Sequence, residues 1–254
     1  MKGAYKILLV LLVIITLLLI VFFVPESKKE LRTKNFTFLF SSSIDSLSIV
    51  ELSKALEDSY TRVSNNMNTK PADNIQVNIY PHRWRYVKAT GNWNASGSIE
   101  GTSKLHFLEN TWMESDIAKI AVHEFVHAVF LKLLLDSEKQ PLNPEKFDEK
   151  FSKYPIWLWE GVSTYEANQF YDPKTLAYFD GGRYPQISEL NVRTKGQKIY
   201  TCGYTIVEYI LEEYGRNKLI ELIKSYGDLE TVLGVSEKQF SKDWYQFMDK
   251  KYLN

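Results

Sequence analysis

The chain carries one cysteine, Cys202, in 254 residues. No intramolecular disulfide can form, and a thiolate metal cluster is excluded. A lone thiol of this kind is most often a small buried hydrophobe. An excess of one charge is also missing: Lys plus Arg and Asp plus Glu each number 31, and the formal net charge is zero. No long block of one sign occurs, so the basic face typical of nucleic-acid binders is absent and no nucleic-acid partner is expected. Internal repeats and low-complexity tracts are absent too. What remains is an ordinary globular profile, 44% hydrophobic and 24% charged, long enough to bury a sizeable core in one domain or two closely packed lobes. Aromatic content is high at 14%, with 16 Tyr and 6 Trp, most of it expected in the core.

Residues 7–24 are apolar apart from Thr16, close to the roughly 20 residues that cross a bilayer. Lys2 and Lys6 before the run favour a cytoplasmic N-terminus, while Lys28, Lys29, Arg32 and Lys34 after it weaken that orientation. The run exceeds the ~7–15 residue core of a secretory signal, and no A-x-A-like cleavage site follows. No cysteine near its end offers a lipid attachment point. The expectation is a cytoplasmic tail at 1–6, a transmembrane signal anchor at 7–24, a linker at 25–34 and a folded domain at 35–254. The domain would sit outside a cell membrane, single-pass, with secretion after signal cleavage as the alternative.

Residues 35–40 read as a strand, and residues 44–63 as a helix with Leu47, Val50, Leu52, Ala55, Leu56 and Tyr60 at helical spacing. Residues 74–80 alternate cleanly, with Ile75, Val77 and Ile79 on one face. A Gly/Ser/Asn-rich loop is expected at 91–101 and a short strand at 104–108. The second half reads as helical. Ser115 is the expected N-cap of a helix reaching about residue 135, followed by a polar excursion at 136–154. Pro155 opens a second helix through about residue 170, and a turn-rich stretch follows at 172–195. A third helix ends at Gly215, and a fourth spans 218–226. Ser236 and Gln239 have capping-box spacing before a last helix that buries Phe240, Trp244 and Phe247.

His123-Glu124-Phe125-Val126-His127 is an HExxH pattern. Residues four apart share one helix face, so both imidazoles can reach a single metal ion. Glu124 is turned about 100° from His123, placing it where it can act as the base that activates water. The helix is apolar nearly all round and is expected to be buried, where two His and a Glu are costly without a partner such as a metal. A zinc site then needs a third protein ligand. Among the acidic residues downstream, Glu160 stands out, flanked by Trp157, Leu158, Trp159 and Gly161. Glu166 is the runner-up, but it lies about 240° around the same helix and cannot share Glu160's role. Thr164 is a candidate partner for a ligand. His82 and His106, isolated beside strands, are weaker candidates.

HExxH followed by Trp157-Leu158-Trp159-Glu160-Gly161 and Tyr165 resembles the gluzincin zinc metallopeptidases. It is similar to the M1 aminopeptidases around that motif and more closely to the smaller peptidase-MA-like domain proteins. The resemblance implies one zinc ion on His123, His127 and Glu160, with Glu124 as catalytic base and a peptide or protein as substrate. In the M1 group a tyrosine in a Tyr-x-x-Gly helix opening stabilises the oxyanion; Tyr200-Thr201-Cys202-Gly203 matches, with Tyr204 one turn on as the competitor. The implied fold is α+β of zincin (thermolysin-like) type: an N-terminal transmembrane helix, then a small sheet lobe with one long helix and a helical lobe. Residues 35–254 would form the catalytic domain. Two features depart from the M1 pattern. The gap between His127 and Glu160 is longer, and no G-x-M-E-N strand is present, which leaves endopeptidase and aminopeptidase activity both open. A catalytically inactive binding or scaffold module at the cell surface is the rival reading.

Overall fold

The computed structural model describes residues 6, 9–14, 16, 27–109, 116–192 and 198–253. The fold is α+β around a five-stranded mixed sheet in the order β1-β2-β3-β5-β4. The strands are β1 Lys28–Arg32, β2 Phe36–Ser41, β3 Ile75–Tyr80, β4 Gly97–Glu100 and β5 Lys104–Leu108. The three central strands run parallel, and β1 and β4 are antiparallel edges. Strand alternation sends Phe36, Phe38 and Phe40 of β2 and Ile75, Val77 and Ile79 of β3 to one buried face.

Helix α1 (Ser46–Met67) follows β2, helix α2 (Arg83–Thr90) follows β3, and helix α3 (Ile117–Ser137) carries the HExxH residues. The sheet, α1 and α3 meet in an aromatic cluster. The Phe36 ring meets Phe125 edge-on at 5.4 Å, and Tyr60 stacks on Phe125 at 5.8 Å. Helix α2 lies on the other face, where Tyr86 meets the outward-facing Tyr80 edge-on at 6.0 Å. The remaining helices are α4 Pro144–Ser152, α5 Ile156–Glu166, α6 Ile187–Leu190, α7 Lys198–Glu213, α8 Arg216–Lys224, α9 Leu229–Leu233 and α10 Glu237–Met248. Helix α5 packs closely on both α3 and α7. At the α5–α7 crossing Gly203 faces Gly161: a methyl group added to Gly203 would come within 2.8 Å of the Gly161 Cα. Two glycines therefore set that approach.

Several sequence expectations need correction. Among the described residues no helix is long and apolar enough to cross a membrane. The transmembrane anchor expected at 7–24 is therefore not found among the described residues, which overturns the single-pass placement with an extracellular domain as read from the sequence. Of that run only residues 9–14 and 16 are described; the rest lies outside the described residues. The supposed linker at 25–34 contains β1, which pairs along β2 from Lys28 opposite Ser41 to Arg32 opposite Thr37. The sheet carries α2 as well as the one long helix, and the expected loop at 91–101 contains β4. On α1 the expected Leu52 and Leu56 are buried, but Leu47 is 71% and Val50 54% exposed, and Ile49, Val63 and Met67 complete the buried stripe. Helix α3 is capped by Asp116, whose side chain accepts from the Lys119 N–H at 3.2 Å, whereas Ser115 lies outside the described residues. The excursion at 136–154 contains α4, and the helix opened by Pro155 ends at Glu166.

Candidate metal centre

Helix α3 presents His123 and His127 one turn apart on the side that faces α5. Both are buried, as is Glu160 in the first half of α5. The ring planes of the two histidines are nearly perpendicular, with centroids 4.6 Å apart. Their Nε2 atoms converge on one oxygen of Glu160, at 3.2 Å from His123 and 3.4 Å from His127. One ligand atom from each of the three residues lies within 4.8 Å of the others, and the group could hold a metal ion.

The far side of each imidazole fixes how it is protonated. His123 Nδ1 lies 2.8 Å from Gln169 Oε1, an atom that can only accept, so the Nδ1–H donates there. His127 Nδ1 lies 2.9 Å from Ser163 Oγ, whose own proton goes to the Trp159 carbonyl at 3.3 Å; His127 Nδ1 donates to Ser163. With both Nδ1 atoms protonated, a neutral imidazole leaves a lone pair on Nε2. Two lone pairs and a carboxylate oxygen then face one another in a buried space. Such a set is costly unless a cation lies among them.

Protonation of the imidazoles is the other way to relieve that conflict, each Nε2–H then donating to Glu160. Burial works to raise the Glu160 carboxyl, but positive charge on His127 and hydrogen bonds from both imidazoles override it and hold the group far below the usual range. Burial works to lower His123, yet its hydrogen bond to Glu160 and the charges of Glu124 and Glu160 more than offset this and raise it. Both directions describe a pocket that favours positive charge beside Glu160.

Two edges of the donor set have the length that a small tetrahedral ion requires. Ligand atoms each 2.0–2.1 Å from such an ion lie roughly 3.3–3.4 Å apart. The two His–Glu160 separations, 3.2 and 3.4 Å, match that edge length. Trp159 stacks flat on His127, with centroids 4.4 Å apart and planes 10° from parallel, and fixes that ring from the side. Trp157 and Leu158 point into the core instead.

Glu124 is half-buried and lies against the edge strand β4. Its Cγ and Oε1 would come within 2.7 Å of a methyl group at Gly97, so the absence of a side chain there makes room for the carboxylate. Tyr200 is half-buried in the first turn of α7, one turn before the Gly203 crossing with Glu160's helix. Tyr204 is engaged in an aromatic group, 4.9 Å from Tyr165 and 5.2 Å from Phe170 between centroids.

The other candidates go elsewhere. The Glu166 carboxylate is bound by Arg62, Asn66 and Arg216 and lies apart from the imidazoles. Thr164 donates to the Gly161 carbonyl of its own helix at 2.8 Å. His106 is buried between Tyr80 and Glu100, and His82 is exposed ahead of α2. Two residues in contact with the imidazoles escaped the sequence reading. Ser163 sits three residues after Glu160, a helical spacing that could have found it. Gln169 lies beyond the end of α5, after Asn168 at φ 53°, and its position follows from a chain reversal that no periodicity announces. No protein-family model matches the chain, and no curated protein matches its sequence.

Proposed function

We propose that this protein is a zinc metallopeptidase of the HExxH…E kind, the gluzincin arrangement, with His123, His127 and Glu160 as ligands. The observation that carries the reading is the convergence of two Nε2 lone pairs on one Glu160 oxygen, with both Nδ1–H groups committed elsewhere. Zinc on such a set acts as a Lewis acid toward a carbonyl and brings water's acidity near neutral pH.

The chain's own residues supply the rest. Glu124, adjacent to the first ligand, takes a proton from the attacking water and passes it to the departing amine. The missing side chain at Gly97 gives the carboxylate its place beside the first ligand. Tyr200 donates its phenolic hydrogen bond to the oxyanion that develops on the attacked carbonyl. Ser163 and Gln169 keep both imidazoles in one tautomer and orientation throughout. Trp159 shields one face of His127 from water.

The test is Glu124→Gln, nearly isosteric but unable to accept a proton at neutral pH. Loss of the general base lowers peptide cleavage by about 10²–10⁴, with metal content and melting temperature unchanged. A variant that cleaves a peptide library at the wild-type rate would remove Glu124 from the reaction. Wild-type protein that carries metal but cleaves nothing in the library would instead favour the binding-module reading.

A further inference from the structure

We propose that Glu166, with Arg62, Asn66 and Arg216, is a positioning device for the metal centre; the inference rests on the metallopeptidase reading above. Glu166 is the last residue of α5, and its side chain is only 1% exposed. Arg62 of α1 grips it twice: Nη1 donates to Oε2 at 2.6 Å, and Nη2 donates to the backbone carbonyl at 2.8 Å. Asn66, one turn further along α1, donates Nδ2 to both carboxylate oxygens, at 3.1 and 2.9 Å. Arg216, at the start of α8, donates to Oε1 at 3.2 Å and to the Asn66 carbonyl at 3.3 Å. Two helices, α1 and α8, are thus pinned to the end of α5.

What the pinned segment carries makes this more than a fold-stabilising cluster. Within ten residues it bears Glu160, the Ser163 that holds His127, and the Gln169 that holds His123. The chain leaves the helix at Glu166 and reverses at Asn168, and the Gln169 N–H closes back on the Thr164 carbonyl at 2.9 Å. Gln169 therefore reaches His123 from a turn built directly on the clamped residue. A helix end free to fray would move Gln169 first, and with it the His123 tautomer. The bond from Arg62 to the Glu166 carbonyl also satisfies one of the otherwise open acceptors at that helix end. Because Arg62 comes from α1 and Arg216 from α8, the clamp ties the sheet side of the molecule and the helical side to the same ligand-bearing segment.

The experiment compares Glu166→Gln, Arg62→Ala and Arg62→Lys with a control, Glu57→Gln. Glu57 is a part-buried carboxylate held by Thr33 and Asn35 at the β1–β2 turn, and it is a structural group remote in sequence from α5. The readouts are the zinc dissociation constant, measured by chelator competition, and the visible spectrum of the Co²⁺-loaded protein. Expected are a 10–100-fold loss of zinc affinity and a broadened Co²⁺ spectrum in Glu166→Gln and Arg62→Ala. Arg62→Lys keeps the charge but not the two-pronged grip and recovers only part of the affinity. Glu57→Gln lowers the melting temperature without changing either readout. Should Glu166→Gln fail to fold, the Arg62 pair decides, since that side chain is 47% exposed and Asn66 and Arg216 still hold the carboxylate without it. Wild-type affinity and spectrum in Arg62→Ala overturn this inference alone. Wild-type protein that binds no zinc overturns the metallopeptidase reading and this inference together.

Discussion

Glu160 and Glu166 lie on the same helix, and their side chains are 4% and 1% exposed, yet their surroundings have opposite sense. Every group around Glu166 is a donor: two guanidiniums and an amide NH₂. The carboxylate is satisfied as it stands, and nothing further fits or is needed. The groups around Glu160 are imidazoles that each use one N–H on the far side, so when neutral they turn a lone pair toward the carboxylate, and they donate to it only when charged. Burial of a carboxylate is common to both places and says little about function. The hydrogen-bonding sense of the partners separates a structural anion from one that awaits a cation. A buried acidic residue in a fold of this kind is best judged by whether its neighbours can donate.

The sharpest way to break that distinction is to neutralise each carboxylate in turn. Glu160→Gln loses most of its metal, and so does His123→Ala, whereas Glu166→Gln still reaches about one zinc per chain when metal is in excess. Elemental analysis measures this directly. A second measure is stabilisation by added zinc, roughly 4 kcal/mol when the free ion is at 1,000 times its dissociation constant. That increment vanishes in Glu160→Gln and persists in Glu166→Gln. Full zinc retention in Glu160→Gln would falsify the ligand assignment.

Tyr200 extends the comparison beyond the ligands. A donor that acts on a charge present mainly in the transition state affects turnover more than binding. Tyr200→Phe is expected to lower kcat by roughly 10²–10³ with KM little changed. Tyr204→Phe serves as its partner experiment, because the Tyr204 ring is held against Tyr165 and Phe170. Near-normal kcat in the first variant with collapse in the second would move the donor role one turn along α7.

A subtler change leaves Glu160 in place and disturbs only the far side of the imidazoles. Ser163→Ala and Gln169→Ala each remove the acceptor that commits one Nδ1–H. About 10–100-fold weaker zinc binding is expected in each. Isothermal titration of the two single variants and the double variant tests it. If both bind zinc as tightly as wild type, the tautomer argument fails while the ligand set survives.

Which of these features could be read from the sequence follows from their range along the chain. The His123–His127 pair depends on one helical turn, and the Ile75, Val77 and Ile79 face on strand alternation, and both are found as expected. The cap of α10 is equally local: Ser236 Oγ accepts from the Gln239 N–H at 3.2 Å. Glu160 was singled out by its apolar flanks and its glycine. For Glu166 the sequence offers only its place on the helix, about 240° from Glu160, and not its role, because its partners Arg62 and Arg216 lie 104 residues before it and 50 after it. Gln169 was out of reach for the same reason, since its partner His123 is 46 residues away. The exposed apolar residues of α1 have another cause. Leu47 and Val50 are apolar residues on a solvent face, where apolar side chains are common and carry no signal of burial.

The smallest expected effect concerns how α5 is held from behind, at the crossing with α7. The two glycines there are not equivalent. A methyl group on Gly203 would lie 2.7 Å from Thr164 Oγ1 and 2.8 Å from the Gly161 Cα, and the second of these is backbone that cannot turn aside. A methyl group on Gly161 meets its nearest atoms, the Gly203 carbonyl and Val207, at 3.4 Å, which is ordinary contact. Replacing a helical glycine by alanine gains about 1 kcal/mol of helix propensity in either case. For Gly161→Ala that gain roughly balances the tighter packing, and the unfolding free energy should change by less than about 1 kcal/mol. For Gly203→Ala the two helices must separate, and a net loss of about 1–3 kcal/mol is expected. The separation also shifts the first turn of α7, so Gly203→Ala should lower kcat more than Gly161→Ala, while zinc affinity, set by Glu160 and the clamp at Glu166, changes little in both. Urea denaturation of the two variants measures the first difference, and steady-state kinetics the second. Equal stability losses would mean that α7 can slide past Gly161 without cost, and the placement of Tyr200 through this crossing would then have to be abandoned.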